Sequence, residues 1–115
     1  MRRIVHKPWG WYITLDEGID YKVKRITINP HHRFSLQYHR YREEHWSVVK
    51  GYGSILVGET KGEGAPGSHW IIPATAVHRA TAGDDEFVFI ETQMGHCEED
   101  DIYRLEDDYD RESPK

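Results

Sequence analysis

Gln37-Tyr38-His39-Arg40-Tyr41-Arg42-Glu43-Glu44-His45-Trp46-Ser47-Val48-Val49-Lys50-Gly51 is the stretch from which the fold is read. Gln37 and His39 are two residues apart, so on a β-strand both side chains leave by one face. Glu44 follows on the same stretch, and Pro73-Ala74-Thr75-Ala76-Val77-His78 lies further along. Gln37, His39, Glu44 and His78 together offer an amide oxygen, a carboxylate and two imidazoles. Such a set suits a divalent metal inside a small barrel, zinc foremost, with manganese, iron(II), cobalt or nickel as alternatives. A single histidine on a strand is more often a half-buried residue with its hydrogen bonds made. The joint spacing is what favours a metal.

Working outward, strand signals dominate. Aromatic and β-branched runs predict strands over 9–15, 21–28, 34–41, 45–50, 54–57, 69–72 and 86–93, with glycine- and proline-bearing turns between them. Many short strands at this spacing predict an all-β sandwich or barrel. The acidic segment 100–107 is the one expected helix. Residues 58–68, Gly-Glu-Thr-Lys-Gly-Glu-Gly-Ala-Pro-Gly-Ser, read as a flexible loop.

The chain has 115 residues, which predicts one domain over 1–111. The end, 109–115, is expected to be disordered, with 112–115 outside the domain. The formal charge is −5, and residues 98–115 hold nine acids against three bases, so the remainder is close to neutral. That balance argues against nucleic-acid binding. There is no apolar run long enough for a membrane span and no apolar signal-peptide segment, so a cytoplasmic location is expected. One cysteine, Cys97, excludes an internal disulfide and lacks a neighbour to activate it.

The spacings carry a resemblance. Gln37-x-His39-(x)4-Glu44-(x)6-Gly51 and Gly67-(x)5-Pro73-x-Thr75-(x)2-His78 resemble the two motifs of the cupin superfamily, whose domains are jelly-roll barrels. Gln37 replaces the first motif histidine, His31 and Thr75 stand where glycines are usual, and Ala82 replaces an asparagine. Lys7-Pro8-Trp9-Gly10-Trp11-Tyr12, Lys22-Val23-Lys24-Arg25-Ile26, Glu44-His45-Trp46 and the segment 99–109 look like the type II mannose-6-phosphate isomerase domain. That domain often follows a mannose-1-phosphate guanylyltransferase, for which 115 residues leave no room. The resemblance implies a metal-dependent interconversion of mannose 6-phosphate and fructose 6-phosphate. It also implies a sugar-phosphate ligand and a separate guanylyltransferase as companion. The family's run of three histidines is His39-Arg40-Tyr41 here, so the rim departs from the pattern more than the ligand positions do.

Strand parity supplies further candidates. Lys22 and Lys24 share parity with Ile26 and Ile28, so inward isoleucines mean inward lysines, which an anion would pair. Arg79 follows His78 and is read with Lys24 as an anchor for phosphate. Glu91 and Gln93 are in phase with Phe87 and Phe89. Glu91 is the candidate proton carrier and Gln93 a candidate substrate contact. Tyr41 shares parity with Gln37 and His39 and is expected to line the pocket. Trp9 and Trp11 share parity and could pack where two barrels meet, since single cupins with exposed sheet edges are expected to form homodimers. Two other readings stay open: a sugar- or metal-binding module without turnover, and a cupin metal enzyme of another class, such as a dioxygenase.

Overall fold

The computed structural model describes residues 3–111. Among them are eleven strands: β1 (Ile4–Lys7), β2 (Gly10–Glu17), β3 (Tyr21–Ile28), β4 (Leu36–Tyr38), β5 (Arg42–Lys50), β6 (Gly53–Val57), β7 (Thr60–Gly64), β8 (His69–Ile72), β9 (His78–Ala82), β10 (Phe87–Gly95) and β11 (Tyr103–Glu106). One sheet runs β1-β2-β3-β10-β5-β8 and the other β11-β4-β9-β6-β7. All paired strands are antiparallel. Two such sheets closed over a shared core are the jelly-roll barrel that the cupin resemblance implies.

The central strands alternate, and each changes character halfway along. In β3, Ile28 and Ile26 are buried and are followed by buried Lys24. In β10, Phe87 and Phe89 give way to Glu91 and Gln93, and in β5, Val48 and Trp46 give way to Glu44 and Arg42. Register then aligns like with like. Ile26 and Val48 both lie beside Phe89, whereas Lys24 and Trp46 flank Glu91 and Glu44 lies opposite Gln93. The result is a barrel with an apolar floor and a polar upper half. Trp46 marks the boundary: its ring stacks on Phe89 at 4.6 Å, and Phe34 meets its face edge-on. Ile55, Ile72, Ala80 and Ala82 complete the floor. Fully burying aliphatic and aromatic side chains of this size stabilises by about 1.5–3 kcal/mol each.

Four expectations are corrected. Segment 100–107 forms no helix. Asp101 accepts from the backbone amides of Arg40 and Tyr41 at 3.0 and 2.9 Å, and Tyr103–Glu106 then pairs with β4 as an edge strand. Residues 58–68 are not all loop, because β7 pairs fully with β6 across a tight turn. Trp9 and Trp11 make no shared surface patch: Trp9 is buried against Phe34, while Trp11 lies beneath the Arg25 guanidinium. Tyr109 packs on the core and Arg111 bonds Asp107, so 109–111 are ordered. The expected disorder of 112–115 falls outside the described residues. No helix among the described residues is long and apolar enough to cross a membrane.

Candidate metal centre

β4, β5 and β9 bring the candidate ligands together. Gln37 on β4 is paired directly with His78, the first residue of β9, and His39 follows where β4 ends. Glu44 points inward from β5 and is 2% exposed, beside His39 at 3% and His78 at 0%. One ligand atom from each of His39, Glu44 and His78 falls within 4.8 Å of the others.

Proton placement shows what this cluster can accept. His39 Nδ1 donates to the Asp101 carbonyl at 2.7 Å, and His78 Nδ1 donates to the Ala76 carbonyl at 2.9 Å. A carbonyl can only accept, so each ring carries its proton on Nδ1 and turns a bare Nε2 lone pair inward. Burial holds both imidazoles neutral, with the His39 pKa pushed down to about 4 and that of His78 lowered as well. Burial alone would raise the Glu44 carboxyl, but its pKa is lowered, and with both imidazoles neutral it is the Arg42 guanidinium that keeps Glu44 ionised. His39 Nε2 lies 3.3 Å from Glu44 Oε2, and His78 Nε2 lies 3.9 Å from Glu44 Oε1. Acceptor therefore faces acceptor, and His78 Nε2 is buried with no hydrogen-bond partner. Two neutral imidazoles and one carboxylate converging in this way fit a divalent cation.

Gln37 reaches the group with the other end of its amide. Its Nε2 lies 3.4 Å from His39 Nε2, while its Oε1 accepts from Ser35 Oγ at 2.6 Å. Joining a metal through oxygen requires a half-turn of that amide. Arg42, which sequence reasoning missed, donates to Glu44 Oε2 at 3.0 Å and to His39 Nε2 at 3.3 Å. His39 Nε2 would have to give up that second bond in order to hold a cation. Trp46 Nε1 donates to Glu44 Oε1 at 3.1 Å. The signal for both was parity, since Arg42 and Trp46 flank Glu44 at two residues on one strand.

The same cavity is lined by Lys24, Glu91 and Gln93, all inward as strand parity predicts. Glu91 is pushed up to about 8, first by burial and then by the Glu44 charge. Gln93 Nε2 donates to Glu91 Oε1 in a very short contact. Lys24 does not await an external anion. Its ammonium bonds both oxygens of Glu99 at 3.0 and 2.8 Å, above the Tyr12 ring, and Lys22 joins Glu99 at 3.2 Å. Glu99 was not singled out in the sequence, because it lay within the acidic run.

Arg79 and Tyr41 are not at this centre. Arg79 alternates with His78 and therefore leaves β9 by the opposite face, where it donates to the Phe34 carbonyl at 3.0 Å and to Glu106 at 2.8 Å. Tyr41 is 61% exposed, because β4 stops at Tyr38 and the turn before β5 breaks the parity that would have carried it inward.

The sequence profile of the family described as mannose-6-phosphate isomerase C-terminal matches residues 1–107. The chain belongs to that family. It is 42% identical over 114 residues to the mannose-1-phosphate guanylyltransferase ManC of Salmonella typhimurium, covering 96% of this chain and 24% of ManC. It is 41% identical over 109 residues to the alginate biosynthesis protein AlgA of Pseudomonas aeruginosa, covering 93% of this chain and 23% of AlgA. The chain thus spans about a quarter of the length of these curated relatives. Among solved structures, the cupin-2 domain Rru_A2000 of Rhodospirillum rubrum superposes with a TM-score of 0.68 at 20% identity, over 79% of this chain and 67% of that one. As a mannose-6-phosphate isomerase C-terminal domain, the chain is a sugar-phosphate isomerase-like cupin, and the His39–Glu44–His78 cluster is its candidate metal site.

Proposed function

We propose that this protein is a metal-dependent aldose–ketose isomerase that interconverts mannose 6-phosphate and fructose 6-phosphate. The observation that carries the reading is the convergence of buried His39, Glu44 and His78 beside a cavity whose lining includes His39, Glu44 and the buried carboxyl group of Glu91. The reaction moves a proton between C1 and C2 of the sugar through an enediol, so it needs polarisation of a carbonyl and a group that can take and return a proton.

A divalent ion held by His39, Glu44 and His78, with Gln37 turned over, would supply the Lewis acidity. Arg42 and Trp46 fix the Glu44 carboxylate in the rotamer that faces the histidines. Glu91 carries the proton: at a pKa of about 8 both its forms are accessible near neutral pH, which suits a carboxyl that alternates as base and acid. Gln93 orients it through the short amide contact. A homodimer and a companion guanylyltransferase belong to the same proposal. The printed name of ManC supports the companion activity, and light scattering tests the dimer.

His78→Ala removes one of the two inward lone pairs. The variant should retain the fold by circular dichroism, bind less than a tenth of the wild-type divalent metal by elemental analysis, and lose conversion of mannose 6-phosphate to fructose 6-phosphate in a coupled assay. Full turnover in a metal-free variant would falsify the reading.

A further inference from the structure

Cys97 is followed by four consecutive acids, Glu98-Glu99-Asp100-Asp101, and they do not share one environment. Glu98, Glu99 and Asp100 are exposed, whereas Asp101 is only 6% exposed. A carboxyl group is costly to bury unless its oxygens are bonded. Here each oxygen has its own donor: Oδ1 accepts from the Arg40 amide at 3.0 Å and Oδ2 from the Tyr41 amide at 2.9 Å. Those two amides directly follow His39 in the chain. The carbonyl of the same Asp101 accepts from His39 Nδ1 at 2.7 Å. One residue therefore grips the turn between β4 and β5 with its side chain and the imidazole with its backbone.

The two imidazoles of the cluster are held in different ways. His78 Nδ1 finds its acceptor, the Ala76 carbonyl, two residues away along the chain. His39 depends on a residue 62 positions further on. The Thr75 amide bonds the His39 carbonyl, but that fixes the backbone and leaves the ring torsions to other contacts. Arg42 and Gln37 stand on the Nε2 side, where a cation would enter, so the Nδ1 bond is the one that orients the ring in a filled site.

We infer that Asp101 is the positioning residue of the metal centre: by holding the Arg40 and Tyr41 amides it keeps its own carbonyl on His39 Nδ1, and so aims the Nε2 lone pair of His39 at Glu44 and His78. The inference deepens the proposed function and rests on the metal site of that reading, not on the identity of the sugar. The rest of the segment supports it. The Asp101 amide donates to the Glu98 carbonyl at 3.2 Å, and that carbonyl also accepts from Arg42 Nη1 at 2.9 Å. Glu99 pins the segment to Lys24 on β3. Residues 98–101 are thus fastened to β3, to β5 and to the turn after β4, and Asp101 is the residue through which they reach a candidate metal ligand.

Asp101→Asn keeps the shape but offers one acceptor oxygen for the two amides, and Asp101→Ala offers none. Isothermal titration of the full chain with zinc should show affinity roughly tenfold weaker in Asp101→Asn and weaker still in Asp101→Ala, as for other partners that orient a metal-binding histidine. Proton–nitrogen NMR of the metal-free protein gives a second readout. In the wild type the bonded Nδ1 protons of His39 and His78 should resonate downfield and exchange slowly with water. The variants should lose the His39 signal and keep that of His78. Asp100→Asn, at the exposed neighbour, removes the same charge and should change neither readout. Asp101→Asn carries the test should Asp101→Ala fail to fold. Wild-type zinc affinity in the folded variants overturns the positioning role. So does loss of both histidine signals together, which would mark a general loosening of the fold. The turnover assay separates this inference from the isomerase reading. Zinc binding that depends on Asp101, without any isomerisation, leaves the positioning role standing and removes the isomerase. Isomerisation by a wild type whose zinc affinity is unchanged in both variants does the reverse.

Discussion

His31 and Thr75 occupy two motif positions where the cupin pattern has glycine, and both adopt left-handed backbone, with φ of 61° and 71°. The fold thus demands the conformation even where the residue is wrong for it. For Thr75 the conflict is sharp, because a β-branched side chain is crowded at positive φ. The turn is worth holding: the Thr75 amide donates to the His39 carbonyl at 2.7 Å, tying the β9 approach to the metal-cluster residue just after β4. Thr75→Gly keeps that bond and removes the strain, while the added freedom of the unfolded chain offsets part of the gain. The net effect should be stabilisation by about 1 kcal/mol, read as a higher urea midpoint at unchanged slope. A lower midpoint would mean that the threonine side chain contributes more than its backbone costs. These departures were visible in the sequence as substitutions. Their backbone consequence was not, because only the folded turn shows which sign φ takes.

Among the elements, legibility followed local alternation. β3 and β8 coincide with the expected strands, since Tyr-Lys-Val-Lys-Arg-Ile-Thr-Ile and His-Trp-Ile-Ile carry their own periodicity or apolar weight. β1, β7, β9 and β11 were missed, β1 because its four residues are too short a run to stand out without β2 beside them. Thr-Lys-Gly-Glu-Gly and His-Arg-Ala-Thr-Ala lack β-branched and aromatic density, and β11 is drawn into the sheet by pairing with β4 and by the Tyr38–Tyr103 stack. Such strands are specified by their neighbours. The closing glycine of the first motif has a physical role at this scale. Gly51 turns β5 into β6 at φ 81°, and a Cβ there would lie 2.1 Å from the Glu86 carbonyl oxygen. Backbone cannot yield as a side-chain tip can. Gly51→Ala should therefore destabilise by ~2 kcal/mol or more, enough to lower the melting temperature by several degrees. A variant within 1 °C of wild type would show that the β5–β6 turn relaxes freely.

For the whole molecule, the candidate site follows from two sheets whose strands change from apolar to polar at the same level. The sequence revealed each change strand by strand, but not the register that aligns them, nor the acidic segment 98–101 folding over the site. Aligning polar groups inside a barrel makes stability depend on pH, with opposite signs for the imidazoles and for Glu91 in the metal-free protein. His39 and His78 have lowered folded pKa values, His39 to about 4, so between about 6.5 and 4 the unfolded chain binds protons that the folded one does not. Stability from these two is present above 6.5 and is lost as pH falls. Glu91 is raised to about 8, so its contribution is present below 4.5 and is lost as pH rises through 8. Just below 6.5, where both imidazoles are neutral in the folded chain and begin to protonate in the unfolded one, the two histidines outweigh the one carboxyl and stability climbs with pH. Between 6.5 and 8 Glu91 acts alone, and stability falls by roughly 1.4 kcal/mol per pH unit. Urea midpoints in chelator should accordingly pass through a maximum near pH 6.5. Glu91→Gln should level the alkaline arm while leaving the acid arm in place. A midpoint that keeps rising to pH 8 in the wild type would contradict the buried, protonated carboxyl on which the proton-transfer role of Glu91 depends.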